Sequence, residues 1–137
     1  MKTEKKRLVK DIEALCRKII YIRDKGKCQK CGKPVSGKNA HTSHVIPKSH
    51  GNYLRFDITN LKLLCFHCHI NWWHKNPLES AEWFKSKFPE RWEYLQLNKE
   101  KTIKMTLDDY DKLKTAMQNM VYEMVERRGN DTQGISN

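Results

Sequence analysis

The chain is predicted to be an α+β protein: a small core of two short strands and a helix, held together by metal and flanked by helices on both sides. Three observations lead there. Two Cys-x-x-Cys pairs, Cys28/Cys31 and Cys65/Cys68, frame a central stretch, and four of the five cysteines and all six histidines lie between Cys28 and His74. Apolar residues alternate only inside that stretch, whereas they recur at helical intervals before and after it. Hydrophobic residues make up 38% of the 137-residue chain against 31% charged, so the core is thin and a structural metal would matter to it.

In chain order, residues 3–24 carry Leu8, Ile12, Leu15, Cys16, Ile19 and Ile22 at helical spacing with charges between them. They form an amphipathic helix that Gly26 stops. Cys16 lies on its apolar stripe and behaves as a small buried hydrophobe. Cys28 to Gly32 is a tight knuckle, 34–39 a polar loop, and Ala40–Ile46 a short strand. A loop with Gly51 and Asn52 at its turn leads to a second strand, where Leu61, Leu63 and Cys65 alternate with Lys62 and Leu64. A helix then begins near Phe66 or His67 and carries His69.

The rest of the chain is helical. Asn76-Pro77-Leu78-Glu79 starts a helix that runs to about Lys87, with Asn at the cap and Pro at the first position. Pro89 opens another that ends near Asn98. Thr106-Leu107-Asp108-Asp109 caps a final helix with Tyr110, Leu113, Met117, Met120, Val121 and Met124 on its apolar face. Residues 1–128 thus form one domain, made of a helix (3–24), a zinc-framed core (27–75) and a helical extension (76–128). A polar tail over 129–137 is expected to be disordered.

Formal net charge is +11, from 27 Lys+Arg against 16 Asp+Glu. Such a balance favours a polyanionic partner, DNA first, because neutralising phosphates releases condensed counterions. No apolar run is long enough to span a bilayer and no signal-peptide pattern opens the chain, so no membrane partner and a cytoplasmic location are expected. In a reducing compartment the paired cysteines read as metal ligands in preference to disulfides. Together Cys28, Cys31, Cys65 and Cys68 can close a four-thiolate structural Zn2+ site, with His41, His44 and Asn60 on the folded insert between the pairs.

The order Ser43-His44-Val45-Ile46-Pro47, then Thr59-Asn60-Leu61-Lys62-Leu63-Leu64-Cys65, then Cys68-His69 resembles the HNH endonucleases of the ββα-metal fold. The run Leu54-Arg55-Phe56-Asp57, with His41 three residues before His44, is similar more narrowly to the phage NinG/Rap-type recombination nucleases, which implies a host-cell cytoplasm if the chain is phage-encoded. The resemblance implies a metal-dependent DNA endonuclease with a one-metal mechanism and a phage recombination or branched-DNA role. His44 would be the general base and Asn60 the residue that constrains the loop and orients it. His69 would bind the catalytic Mg2+ or Mn2+, and the products would carry a 5′-phosphate and a 3′-hydroxyl.

One position departs from the family pattern. Most HNH proteins have an acidic residue or histidine just before the base, as a second metal ligand, whereas this chain has Ser43. His41 and Ser43 face one side of the strand and His44 the other, so His41 can replace that ligand from about 6–7 Å along the strand. His74 is the other ligand candidate. Five residues from His69, it sits about 140° around an ideal helix, which places it off the His69 face unless the helix ends near Trp73. Lys48, Arg55, Lys62 and Lys75 are candidate DNA contacts, while Trp72, Trp73 and Trp83 are expected to pack the core. Two other classes stand beside the enzyme: a non-catalytic zinc-stabilised nucleic-acid-binding module, and a homodimer or partner contact through the Met-rich C-terminal helix.

Overall fold

The computed structural model describes the backbone of residues 2–136 and the side chains of residues 3–129. Helix α1 (Lys2–Arg23) is followed by the strands β1 (His41–His44) and β2 (Leu61–Leu64), a π-helix (His67–Trp73), and helices α2 (Pro77–Lys87), α3 (Pro89–Asn98) and α4 (Leu107–Ser136). The strands pair antiparallel, with His41 opposite Leu64, Thr42 opposite Leu63, Ser43 opposite Lys62 and His44 opposite Leu61. The mixed class, the helix-strand-strand-helix order and the flanking helices match the expectation from sequence. No helix among the described residues is long and apolar enough to cross a membrane.

The apolar stripe of α1 (Ile12, Cys16, Ile19, Ile20) is buried with Leu61, Leu63 and Leu64 of β2 and with Tyr110 and Met117 of α4 in the larger of two clusters. Met120, Val121 and Met124 pack against the same cluster, so the Met-rich face of α4 is turned to α1 within one chain. A second cluster of Val45, Leu54, Phe84 and Leu95, flanked by Trp73, Trp83 and Trp92, joins the loop after β1 to α2 and α3. Trp72 makes edge-on ring contacts with both Trp73 and Trp83, as core aromatics do.

Several local predictions differ in detail. Thr106 and Asp109 form a reciprocal capping box, in which the Asp109 N–H donates to Thr106 Oγ1 and the Thr106 N–H to Asp109 Oδ2. At the start of α2, however, the Asn76 side chain caps nothing and instead donates toward the Trp72 carbonyl. β2 is buried along its whole length because both faces are covered, so its alternation does not mark an exposed side. Helix α4 continues through Gly129 to Ser136, over residues expected to form a disordered tail. The helix contains two glycines there, Gly129 and Gly134; each costs only about 1 kcal/mol relative to alanine and does not by itself end a helix. Asn137 lies outside the described residues.

Candidate active site and zinc centre

The knuckle at the start of the site is shaped by its backbone. The Gly32 N–H donates to the Cys28 carbonyl, the Cys28 N–H donates to the Lys33 carbonyl, and Gly32 takes φ +80°, which side chains resist. Gln29 N–H donates to the Leu63 carbonyl, so the knuckle is tied to β2. On the other side Cys65 follows β2 directly and Cys68 lies in the π-helix. All four sulfurs lie within 4.8 Å of one another, and no other group of three or more metal-binding side chains converges this way among the described residues. Tetrahedral zinc with Zn–S of about 2.3 Å requires sulfurs about 3.8 Å apart; Cys31 Sγ and Cys65 Sγ are separated by 3.9 Å. No disulfide links them. Burial alone would raise the Cys28 thiol, but hydrogen bonds from neighbouring backbone groups pull it down to about 7. The donor set and its spacing therefore fit a zinc ion that would tie the knuckle to the first turn of the π-helix, next to His69.

The loop between the strands is organised by Asn60, which is fully buried. Its Oδ1 accepts from the Ile46 N–H at 2.7 Å, and its Nδ2 donates to the carbonyls of Ile46 and Leu54 at 3.0 and 3.2 Å. Its own carbonyl accepts from Val45 N–H. Asn60 thus binds both ends of the loop that follows His44, without touching the imidazole. Two arginines hold Asn60 from behind: Arg23 donates to the carbonyls of Ile58 and Leu61, and Arg91 to those of Thr59 and Leu61. Asp24, nearly buried, pairs with Arg23 and accepts from Leu63 N–H. No motif announces these three residues, since the groups they hold near Asn60 and in β2 are main-chain atoms distant in sequence.

His44 sits at the end of β1 with its Nε2 3.0 Å from the Arg55 carbonyl. A carbonyl only accepts, so Nε2 carries the proton and Nδ1 the lone pair. Burial holds the pKa of this imidazole below its ordinary value of 6.5, with Lys48, Lys62 and Arg55 adding to the effect against the opposing Arg55 carbonyl. His44 is therefore neutral at physiological pH. It lines a cleft of ≈ 550 Å³ together with His69, His74 and Lys48.

His41, His69 and His74 form a chain of rings. His41 Nδ1 lies 2.9 Å from His69 Nδ1, and His69 Nε2 lies 3.0 Å from His74 Nε2. The π-helix makes the second contact: the His74 N–H donates to the His69 carbonyl five residues back, so residue 74 stacks over residue 69. The 140° offset of an ideal helix does not apply. His41 Nε2 donates to the Lys38 carbonyl at 2.9 Å, which leaves the Nδ1 lone pair facing His69. Burial, then the proximity of His74 and His41, pushes His69 down to about 4, so it stays unprotonated and available as a ligand.

Ser43 and Lys62 pair across the strands on the same face as His41. Lys62 is fully buried, its Nζ donating to Ser43 Oγ at 3.1 Å and lying 3.2 Å from the centre of the Trp73 ring. This corrects the expectation of Lys62 as a DNA contact, because both faces of β2 are covered and the ammonium cannot reach a phosphate. Desolvation drives its pKa well below the usual lysine value. Lys48 and Lys75 are exposed, Lys48 on the cleft wall and Lys75 in the turn after the π-helix. Arg55 is partly exposed beside Glu13 and stacks on Phe56.

Residues 28–71 match the family model for HNH endonuclease. That segment runs from the zinc knuckle through both strands into the π-helix, and it contains His44, Asn60 and His69. Comparison with curated proteins and with solved structures returned no match.

Proposed function

We propose that this chain is a metal-dependent DNA endonuclease in which His44 is the general base. The observation that carries the proposal is the His44–Arg55 hydrogen bond, which fixes the tautomer with the Nδ1 lone pair free, in a cleft that also presents His69 and His74. His44 Nδ1 takes a proton from a water molecule, and the water oxygen forms a bond to the scissile phosphorus as the bond to O3′ breaks. The leaving O3′ takes a proton from solvent, giving a 3′-hydroxyl and a 5′-phosphate. Asn60 is a positioning residue, acting on His44 through the loop it ties down.

His69 and His74 would hold the catalytic ion through their Nε2 atoms, which face each other across 3.0 Å. His41 serves better as the acceptor for His69 Nδ1–H, in turn anchored on the Lys38 carbonyl, than as a ligand itself. When bound, the ion supplies positive charge to a non-bridging phosphate oxygen and to the leaving oxygen. Imidazole donors without a carboxylate suit Mn2+ or a later transition metal better than Mg2+, which prefers oxygen.

The narrower reading, a branched-DNA nuclease of phage recombination, is supported by the Leu54–Asp57 run and by His41 alone. A second reading, a zinc-stabilised binding module without catalysis, draws on Ser43: its hydroxyl is engaged by Lys62 where the family pattern has a ligand. One assay separates them. Purified protein is incubated with linear duplex, single strand and a four-way junction under Mg2+, Mn2+, Ni2+ and Zn2+. Cutting that is lost in His44→Ala, with DNA binding retained, supports the endonuclease; salt-sensitive binding with no cutting under any ion supports the module. Preference for the junction supports the narrower reading.

A further inference from the structure

Three depressions share walls and join into one groove. The first lies between the start of α1 and Arg55, with Lys6, Lys10 and Glu13 on its side. Glu13 and Arg55 also wall the second, which adds Arg17, Lys48 and His44. His44 and Lys48 then wall the third, the cleft with His69 and His74. A path therefore leads from the N-terminal helix, outside the segment that matches the nuclease family model, past His44 to the histidine pair.

The α1 side of this path is built by spacing. Lys6, Lys10, Glu13 and Arg17 fall four, three and four residues apart and so share one face of the helix. From Lys6 to Arg17 that face spans about 16 Å at 1.5 Å per residue, about five nucleotide steps at 3.4 Å along a strand. Lys6, Lys10, Arg17 and Lys48 are exposed, and their side chains make no hydrogen bond or ion pair among the described residues. Arg55 stands at the junction with its Nε buried and without a hydrogen-bond partner. Its nearest anion is Glu13, 3.6 Å away. The same residue's carbonyl holds His44.

We infer that this groove is the bed for the sugar-phosphate backbone of a DNA strand, with α1 and Arg55 gripping phosphates that flank the one presented to His44. Glu13 occupies the guanidinium in the free protein and is displaced by phosphate. The inference rests on the nuclease reading for its direction toward His44, but its test measures binding alone, so loss of one reading is distinguishable from loss of the other.

The probe is a fluorescein-labelled 20-base-pair DNA duplex, titrated by anisotropy with full-length, zinc-loaded His44→Ala protein over a range of salt. The Lys6→Ala/Lys10→Ala/Arg17→Ala variant should bind at least about tenfold more weakly at 0.1 M salt. Its log Kd against log salt slope should fall by about 2–3, from about 0.9 per phosphate contact. Removing the same number of charges off the groove, Lys18→Ala/Lys99→Ala/Lys104→Ala, should change Kd by less than about threefold. Glu13→Gln should tighten binding, and it keeps the test decisive if the triple variant misfolds. Equal effects of the two triple variants, or no tightening by Glu13→Gln, would overturn the inference. So would weakened binding confined to an RNA duplex of the same sequence.

Discussion

Asn60→Ala isolates the residue that sets the geometry of the site without touching its chemistry. The amide makes three side-chain hydrogen bonds in a fully buried position, two to Ile46 and one to Leu54. Each such bond is worth about 0.5–1.5 kcal/mol net, and each buried partner left unsatisfied adds to the loss. The variant should therefore lose about 3 kcal/mol, a large share of the 5–15 kcal/mol typical of a domain. Asn60→Asp should fare no better: the carboxylate keeps the Ile46 N–H but sets an oxygen where Nδ2 now donates to two carbonyls. Urea unfolding of zinc-loaded protein, followed by tryptophan fluorescence, measures both. Cutting should fall along with stability, because the loop after His44 loses its tie, while one zinc per chain is retained. Loss of under 1 kcal/mol in Asn60→Ala, or parental stability in Asn60→Asp, would refute the assignment of the amide as the loop's anchor.

Removing zinc should unfold the core, since structural zinc contributes on the order of 10–16 kcal/mol in small zinc domains; chelation followed by loss of the tryptophan signal and of the thermal transition checks this, and an unchanged transition contradicts it. The acid limb of the cleavage rate should lie below pH 6.5, because burial lowers the His44 pKa and the imidazole keeps its lone pair to lower pH; a limb above pH 6.5 in a pH–rate profile would contradict the base assignment. Lys62→Met should be as stable as the parent or gain up to about 1–4 kcal/mol at neutral pH, since a buried ammonium is replaced by an apolar chain of similar length. The folded chain gives up the Lys62 proton well below the usual value of 10.5 while the unfolded chain holds it, so parental stability rises with pH up to that value; the Met variant should lack this contribution. Stability measured at pH 7 and 9.5 tests both statements.

What could be read from the sequence was local. The two Cys-x-x-Cys pairs predict, through spacing alone, a cluster that could hold zinc, and the structure brings their sulfurs together. Thr106 and Asp109 lie three residues apart and find each other in the capping box. His44 ends β1, Asn60 ends the helical turn before β2, and His69 lies in the first turn of the π-helix, so all three sit on elements that their close neighbours define. The rest depends on contacts across the chain. The π-helix over His67–Trp73 has no propensity signal; Cys68, held in the cysteine cluster, and the packing of Trp72 and Trp73 determine its winding. Lys62 looks like an exposed strand lysine until the aromatic ring of Trp73 closes over it. Arg23 and Arg91 reach the Asn60 turn through main-chain carbonyls, which carry no residue identity for a sequence to display.

Ser43 and Lys62 together give a physical reason for the proposed ligand set to lie toward the end of the π-helix. Position 43 faces Lys62 across the strands, and the ammonium lies 3.1 Å from Ser43 Oγ. A carboxylate in place of Ser43 would meet that ammonium first and form a buried ion pair, which would draw it away from an ion in the cleft. With serine there, the site proposed for the ion is lined by imidazoles, and the charged groups that act on the neighbouring His44, namely Lys48, Lys62 and Arg55, are basic. A divalent ion held by His69 and His74 would keep its full charge toward the cleft, since no carboxylate offsets it. On the proposed reading, the absence of an acid at position 43 would make the cleft more attractive to a phosphate diester and weaken its hold on a hard cation such as Mg2+. Affinity for DNA should accordingly come from the protein's own cations, and the ion's identity should be set by the affinity of imidazole.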